Sequence, residues 1–362
     1  MNLSRYSIEK RLVPSSTAYI TIPLLSIVLA LIFGAVFLKL SGFDFIKVYT
    51  KMFTGAFGSS YGLSETIVRL IPLTITGLGV ALAFRMQLWN IGAEGQLYMG
   101  AFAASWVALT FPAGSAWWVL PAMILLSMLA GGIWALLTAI PKALWGVNEI
   151  ITTLMLNYVA IFWVDYLVYG PWKDPNGFNF PLTAPFGPGA ILPALGNSRI
   201  HAGLFFGLLL AVVYYIIIYH TRWGYEIRVT GENPNSAKYA GMNTVKNIML
   251  VMVISGAICG LAGMSEVSGI GGRLQPGLSP GYGFTAIIVA WLARLNPFAI
   301  ILVSFLLGGL EVGGYIVQTS GIPSSMVSML QGMLFFFVLG GEILTNYRII
   351  KSPVTTSGAD NR

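Results

Sequence analysis

Ten stretches of this chain are apolar over lengths that suit a hydrocarbon solvent, and most of the connections between them are short. The first runs from Ala18 to Leu38; the others fall at about 67–84, 91–109, 117–137, 150–169, 202–219, 248–266, 283–294, 297–317 and 326–344. At 1.5 Å per residue, about 20 helical residues cross a bilayer core, and a helix pairs its backbone groups internally where no water can. The sequence therefore predicts an all-α polytopic membrane protein of about ten transmembrane helices, forming a single transmembrane domain over residues 1–362. Composition agrees: charged side chains are 9% and apolar ones 56% of 362 residues, whereas a soluble domain carries about 25% charged residues. The eighth run is too short to span alone. Either it begins inside the preceding Gly-rich stretch or it is a half-helix buried in protein.

The run after Arg5, Lys10 and Arg11 is longer than the core of a signal peptide and lacks a small-residue cleavage signature, so a retained first helix is expected. With the N-terminus in the cytoplasm, 13 of the 20 basic residues fall on the cytoplasmic side, as the positive-inside rule prefers. Lys39, Lys47 and Lys51 oppose it. An even span count returns the C-terminus to the cytoplasm, which makes 1–17 and 345–362 cytoplasmic segments, 170–201 an extracytoplasmic loop and 221–247 a cytoplasmic loop. The basic residues form no aromatic-laced stripe, so a lipid bilayer rather than nucleic acid is the partner they indicate. The lone cysteine, Cys259, permits no internal disulfide and no cysteine-built metal site.

No Gly-x-x-x-x-Gly-Lys-Ser/Thr loop or His-Glu-x-x-His motif is present. The chain reads as neither an enzyme nor its own ATPase, with no catalytic residue, metal or cofactor implied; uphill transport needs a separate energy source. Two Gly-broken polar starts open small-residue helices: Asn90-Ile-Gly-Ala-Glu-Gly-Gln-Leu and Ser279-Pro-Gly-Tyr-Gly-Phe-Thr-Ala. They lie five spans apart, so spans 2–5 and 7–10 are candidates for an inverted repeat whose interrupted helices face each other near mid-membrane.

An acid inside a membrane run is costly and faces protein or water. Glu94 either lines a pathway or joins two helices through Asn90, Gln96 or a backbone amide. Glu149 and Asn157 sit about 80° apart on one helix, and Asn157, deeper in its span, is the better pathway candidate. Asp165, Glu266 and Glu311 lie near outer ends, where solvated or interhelical roles are expected. Trp106, Trp117 and Trp118 suit the headgroup belt, whereas Trp291 and Phe284 are candidates to stack on a planar solute. The spans show no deep paired charges, which favours a neutral solute.

The segment Thr230-Gly-Glu-Asn-Pro-Asn-Ser-Ala-Lys-Tyr-Ala-Gly-Met-Asn predicts a helix of about two turns. Asn233 or Asn235 caps it, Pro234 suits its first turn and Gly241 ends it after Ala240. It is either a docking knob or a capped turn.

Together with Asn90-Ile-Gly-Ala-Glu-Gly-Gln and Val147-Asn-Glu-Ile-Ile-Thr-Thr-Leu-Met-Leu-Asn-Tyr, this segment resembles the permease subunits of bacterial ABC importers of the branched-chain amino acid and ribose type, nucleoside and simple-sugar branch. The resemblance runs from about residue 60 to 345. It implies a ten-helix translocation subunit of the cell membrane working beside a second, different permease, a cytosolic ATP-binding cassette ATPase and an extracytoplasmic solute-binding protein. By the same resemblance Gly231, Asn233, Pro234, Ala237, Tyr239, Ala240 and Gly241 belong to the coupling helix that seats in the ATPase, and Asn90, Glu94, Gln96, Asn157, Phe284 and Trp291 are the translocation-pathway candidates. Nucleosides are the expected small-molecule solute. Simple sugars through the same kind of importer, or an ion-coupled secondary carrier with Glu94 and Glu149 titrating, are the alternatives.

Overall fold

The computed structural model describes residues 6–10, 18–196 and 198–351; positions 1–5, 11–17 and 352–362 of the two expected tail segments lie outside them. Among the described residues the helices are α1 (Ala18–Leu40), α2 (Phe45–Phe57), α3 (Ser60–Arg85), α4 (Ala93–Thr110), α5 (Ala116–Trp145), α6 (Glu149–Tyr169), α7 (Gly203–His220), α8 (Arg222–Glu232), α9 (Pro234–Tyr239), α10 (Thr244–Glu266), α11 (Tyr282–Leu292), α12 (Pro297–Gln318) and α13 (Ser324–Asn346). Each of the ten apolar runs is occupied by one of them. Seven (α3, α5, α6, α7, α10, α12 and α13) are long and apolar enough to cross a membrane by themselves. The other three runs are held by α1 and by α4 and α11, which open at glycine breaks, so that measure does not show ten separate full crossings.

Three elements depart from the sequence reading. Helix α2 was not expected; Val48, Met52 and Ala56 are buried at every fourth position, so Lys47 rides the polar face of an amphipathic helix. The 221–247 segment holds two helices rather than one, since Trp223, Ile227 and Thr230 recur at helical spacing and Ile227 is fully buried. Finally, Tyr6–Lys10 (β1) and Tyr347–Lys351 (β2) pair antiparallel, with Tyr6 opposite Lys351. Both stretches are short and rich in Ile and Tyr, residues that favour strands, so the chain is not wholly α.

The chain divides into two compact units, residues 52–313 and residues 1–51 with 314–362. In the smaller, α1 packs on α13; the Phe33 and Phe337 rings lie 5.0 Å apart, and the Tyr49 hydroxyl donates to the Leu31 carbonyl at 2.8 Å.

In the larger unit α3 and α10 are the central helices, with α4, α5, α7 and α11 packed on one or both of them. Glycines let α10 approach closely: a Cβ on Gly260 would overlap the Ser127 carbonyl of α5, and one on Gly263 the Leu97 carbonyl of α4. The outward face of α5 exposes Leu125, Leu129, Ile133 and Leu137, again every fourth residue, which is a stripe suited to lipid.

The connection 170–202 is tied down over one end of this unit. Helix α10 ends in a π-helical turn, Val267–Gly271. The Ser268 hydroxyl donates to Ala190 O at 2.6 Å, the Leu192 N–H donates to Ser268 O and the Phe186 N–H to Gly272 O. Trp172 stacks on Phe102 of α4 at 5.4 Å, while Phe178 and Phe180 are exposed.

His201, in this connection and outside the spanning helices, is 1% exposed. Its Nδ1 accepts from the Gly203 N–H at 3.2 Å and its Nε2 has no partner. Burial pushes its pKa down from 6.5 to about 4. The unfolded chain therefore takes up this proton below about pH 6.5 and the folded chain only near pH 4. Stability attributable to His201 is constant above pH 6.5 and falls by about 3 kcal/mol as pH drops to 4. Thermal midpoints in detergent across that window should show the slope in the wild type and a flattened one in His201→Gln.

Candidate functional site

Two features of the larger unit concentrate polar and aromatic groups inside apolar surroundings. The first is the meeting of the two interrupted helices. Chain leaving α3 at Arg85 turns back through residues 86–92 and starts α4 at Ala93; α11 starts at Tyr282, after Gly281, where φ is +100°. These starts touch. The Gly283 N–H donates to Glu94 Oε2 at 2.6 Å, and Ser279 bonds the same carboxyl, so the α4 acid satisfies an amide that the first turn of α11 leaves unpaired.

Around this contact the amides of Asn90 and Gln96 pair reciprocally, Asn90 Nδ2 to Gln96 Oε1 at 3.0 Å and Gln96 Nε2 to Asn90 Oδ1 at 2.9 Å. Asn90 Nδ2 also donates to Ser255 Oγ of α10, whose hydroxyl donates to Gly79 O of α3. Asn157 of α6 accepts from Gly95 N and donates to Ile91 O, both at 2.8 Å. Asn90, Glu94, Gln96 and Asn157 are thus brought into one knot and are at most 2% exposed. Glu149 lies apart from it, receiving the Trp89 N–H at 3.3 Å and pairing with Lys142 at 2.7 Å.

A fixed knot predicts a stability effect. Glu94→Leu strands the buried Gly283 N–H and should cost about 1–3 kcal/mol, read as a lowered thermal midpoint, whereas Glu94→Gln keeps an acceptor and costs less. A residue that served only to contact cargo would lower uptake in both variants without lowering the midpoint.

The second feature lies at the end of the unit that carries α8 and α9. Phe84 at the end of α3, Trp89 in the turn-back and Trp291 at the end of α11 form a triangle of rings, with centroids 5.2, 5.7 and 5.6 Å apart. They line a cavity of about 440 Å³ with Arg85, Gln87, Arg228, Gly231, Glu232 and Leu295. Arg85 donates to the Tyr219 hydroxyl at 2.6 Å and to Leu295 O at 3.2 Å. The guanidinium groups of Arg85 and Arg228 lie 5.5 and 5.7 Å from the Tyr219 ring centre. Phe284, by contrast, is on the opening turn of α11, 37% exposed and outside this triangle.

The coupling candidates are adjacent. Gly231 is buried so close to α3 that a Cβ would overlap the Arg85 carbonyl. Asn233 Oδ1 accepts from the N–H groups of Asn235 and Ser236, Pro234 opens α9, and Gly241 ends it at φ +75°. Ala237 is fully buried, whereas Tyr239 is 94% exposed and Ala240 is exposed. Trp223 Nε1 donates to Asn247 Oδ1 and Asn247 Nδ2 donates to Glu226 Oε2, locking α8 to the first turn of α10.

Sequence reasoning did not find Phe84, Trp89, Arg85 or Arg228 as partners of Trp291. Their only local signal is a tryptophan set beside a polar glycine break. At the opposite end it named Glu266 and Glu311 but not Arg69, the cation that faces them. Arg69 of α3 donates to the Tyr282 hydroxyl, within electrostatic reach of Glu266 and Glu311. Glu266 is 6% exposed, an interhelical rather than solvated placement. Opposite charges therefore do occur inside the unit, Glu266 buried and Arg69 and Glu311 half-buried, which removes that argument for a neutral solute.

Comparison with known proteins adds what geometry does not. Residues 62–339 match the family described as branched-chain amino acid transport system / permease component. The glucose ABC transporter permease protein TsgB13 of Haloferax volcanii is 37% identical, over 100% of both chains. The guanosine ABC transporter permease protein NupP of Bacillus subtilis is 37% identical over 95% of this chain and 99% of its own. The nucleoside ABC transporter permease protein NupB of Lactococcus lactis subsp. cremoris is 30% identical over 90% and 92% respectively.

Proposed function

The chain belongs to the branched-chain amino acid transport system permease family, a multi-pass membrane transport subunit, and on that premise we propose that it is the translocation subunit of an ABC importer whose cargo is a nucleoside. The observation that carries the coupling part is α9. A six-residue helix is not stable alone in water; this one is capped by Asn233, anchored by the buried Ala237, and offers Tyr239 and Ala240 outward. A cytosolic ATPase seated on that exposed face would move α8, and through the close contact of Gly231 with Arg85 it would move α3.

In this reading Gly231, Asn233, Pro234, Ala237, Tyr239, Ala240 and Gly241 form the coupling element. Asn90, Glu94, Gln96 and Asn157 hold the half-helix starts beside the pathway, and Trp291 lines it. Phe284 stands at the start of α11, where solute would pass between the two ends. The α9 end faces the cytoplasm with both termini, and the 170–202 connection faces a solute-binding protein. A second, different permease completes the pathway.

Nucleosides lead because three aromatic faces in one cavity suit a planar base. Sugars stay as the second reading because the glucose permease relative is as similar as the guanosine one. The ion-coupled carrier loses ground: Glu94 and Glu149 are both engaged by protein donors. The test is uptake of labelled guanosine and of labelled glucose by proteoliposomes holding the complete importer. ATP-dependent guanosine uptake that survives a proton-collapsing ionophore is expected; uptake of glucose alone would give the sugar reading, and loss with ATP intact the carrier.

A further inference from the structure

The ring triangle and the coupling element share one cavity. Gly231 and Glu232, the last residues of α8 before the Asn233 cap, form part of the wall whose other side is Phe84, Trp89 and Trp291. A cavity of about 440 Å³ lies within the usual span of small-molecule pockets, roughly 300–1,000 Å³, and an apolar lining with a few convergent polar groups is their usual make-up.

We propose that this cavity is a binding site for a planar heteroaromatic solute on the α9 side, and that its occupancy restrains the coupling element and so slows ATP hydrolysis when imported solute accumulates. The proposal rests on the nucleoside-importer reading above and adds to it a site and a regulatory consequence.

Three observations converge on it. The rings come from two distant chain segments, 84–89 and 291, and lie 5.2 to 5.7 Å apart at mutual tilts of 33° to 54°, leaving faces on which a planar ring can stack. Trp89 is 39% exposed, so the pocket has an accessible aromatic wall rather than a filled core. Gln87, Glu232 and Arg228 add donors and acceptors at its rim, and these suit the hydrogen-bonding edge of a base.

The regulatory step follows from position. Gly231 touches the Arg85 carbonyl, and Arg85 holds Leu295 O at the end of α11. A ring inserted among Trp89, Trp291 and Gly231 is in contact with α8 and with the ends of both α3 and α11. It therefore favours the arrangement that keeps those three apart by the thickness of the ring, and a ligand shifts an equilibrium only by such differential contact.

The experiment uses the permease–ATPase complex in nanodiscs without the binding protein. Guanosine is titrated from micromolar to millimolar, each ATPase rate being expressed relative to that variant's own rate without guanosine. Expected is saturable inhibition of the wild type, a half-inhibitory concentration raised about tenfold or more in Trp291→Ala and Trp89→Ala, near wild-type inhibition in Trp291→Phe, and no effect of glucose. Saturable guanosine quenching of tryptophan emission, diminished in Trp291→Ala, reads binding independently of hydrolysis. Absence of both inhibition and quenching in the wild type, or equal inhibition in wild type and Trp291→Ala, overturns the proposal. Proteoliposome uptake separates the two failures: a complex that imports guanosine but shows neither effect sinks only this site, whereas one that does not import guanosine sinks the nucleoside reading, and the quenching titration still decides whether the cavity binds a planar ring.

Discussion

Ala240→Lys should abolish ATP-driven uptake, a loss of at least a hundredfold, while the chain still inserts and folds. Ala240 is the exposed residue that follows α9, next to Tyr239, which is 94% exposed. A lysine here puts a charge beside the Tyr239 ring, the kind of aromatic anchor on which interface energy concentrates, and forcing that charge into an apolar contact carries a desolvation cost. The folded permease loses nothing, because Ala240 makes no buried contact. The measurement is co-purification of the ATPase with the tagged permease, alongside uptake.

Gly231→Val gives a different signature. It leaves the outer face of α9 intact but forces a side chain into the Arg85 carbonyl. The ATPase should still co-purify, with hydrolysis no longer tied to transport. Wild-type uptake in both variants would overturn the coupling assignment.

Gly260→Val should break the larger unit itself. A Cβ at position 260 overlaps the Ser127 carbonyl on α5 and crowds the Gly131 Cα, while the α10 backbone at 260 packs directly on Gly100 of α4. These neighbours are backbone and cannot rotate away, so α10 must separate from α5 or press into α4. In a bilayer, where lipid tails are as apolar as the helix surfaces, close backbone approach at small residues is much of what holds helices together. Overpacking a tight core costs about 1–3 kcal/mol and occasionally more, and this site, blocked on two sides, belongs at the upper end. A fall of roughly 5–10 °C in the thermal midpoint is expected, with reduced membrane yield. Gly332→Ala, at an exposed α13 position with open space around it, is the control and should leave the midpoint within a degree or two. Equal midpoints for the two variants would contradict the packing described for α10.

What lies close together along the chain was readable from residues alone. The ten apolar runs became helices because run length and composition are properties of contiguous residues, and bilayer thickness sets the length they need. The ends of α9 were readable for the same reason, since Asn233, Pro234 and Gly241 act on the backbone beside them. The amphipathic α2 and α8 carry equally local signals in Val48, Met52 and Ala56, and in Trp223 and Ile227. They were passed over because their mean apolarity is low and only the period marks them.

Tertiary structure decided what distant residues do to one another. Whether Glu94 faced cargo or protein turned on Gly283, 189 positions away, and no local pattern names that partner. The ring triangle unites residues 84, 89 and 291, which come together only because α3 and α11 end at the same level. Charge placement followed the same logic. The grouping of half-buried Arg69 and Glu311 with buried Tyr282 and Glu266 depends on four helices settling in register, whereas Lys47 and Arg222 took exposed places from their immediate neighbours. Chain connectivity and solvent preference specify elements one at a time. Side-chain interlock among them, set by how closely glycines let backbones approach, determines which polar groups become partners and which rings enclose a cavity.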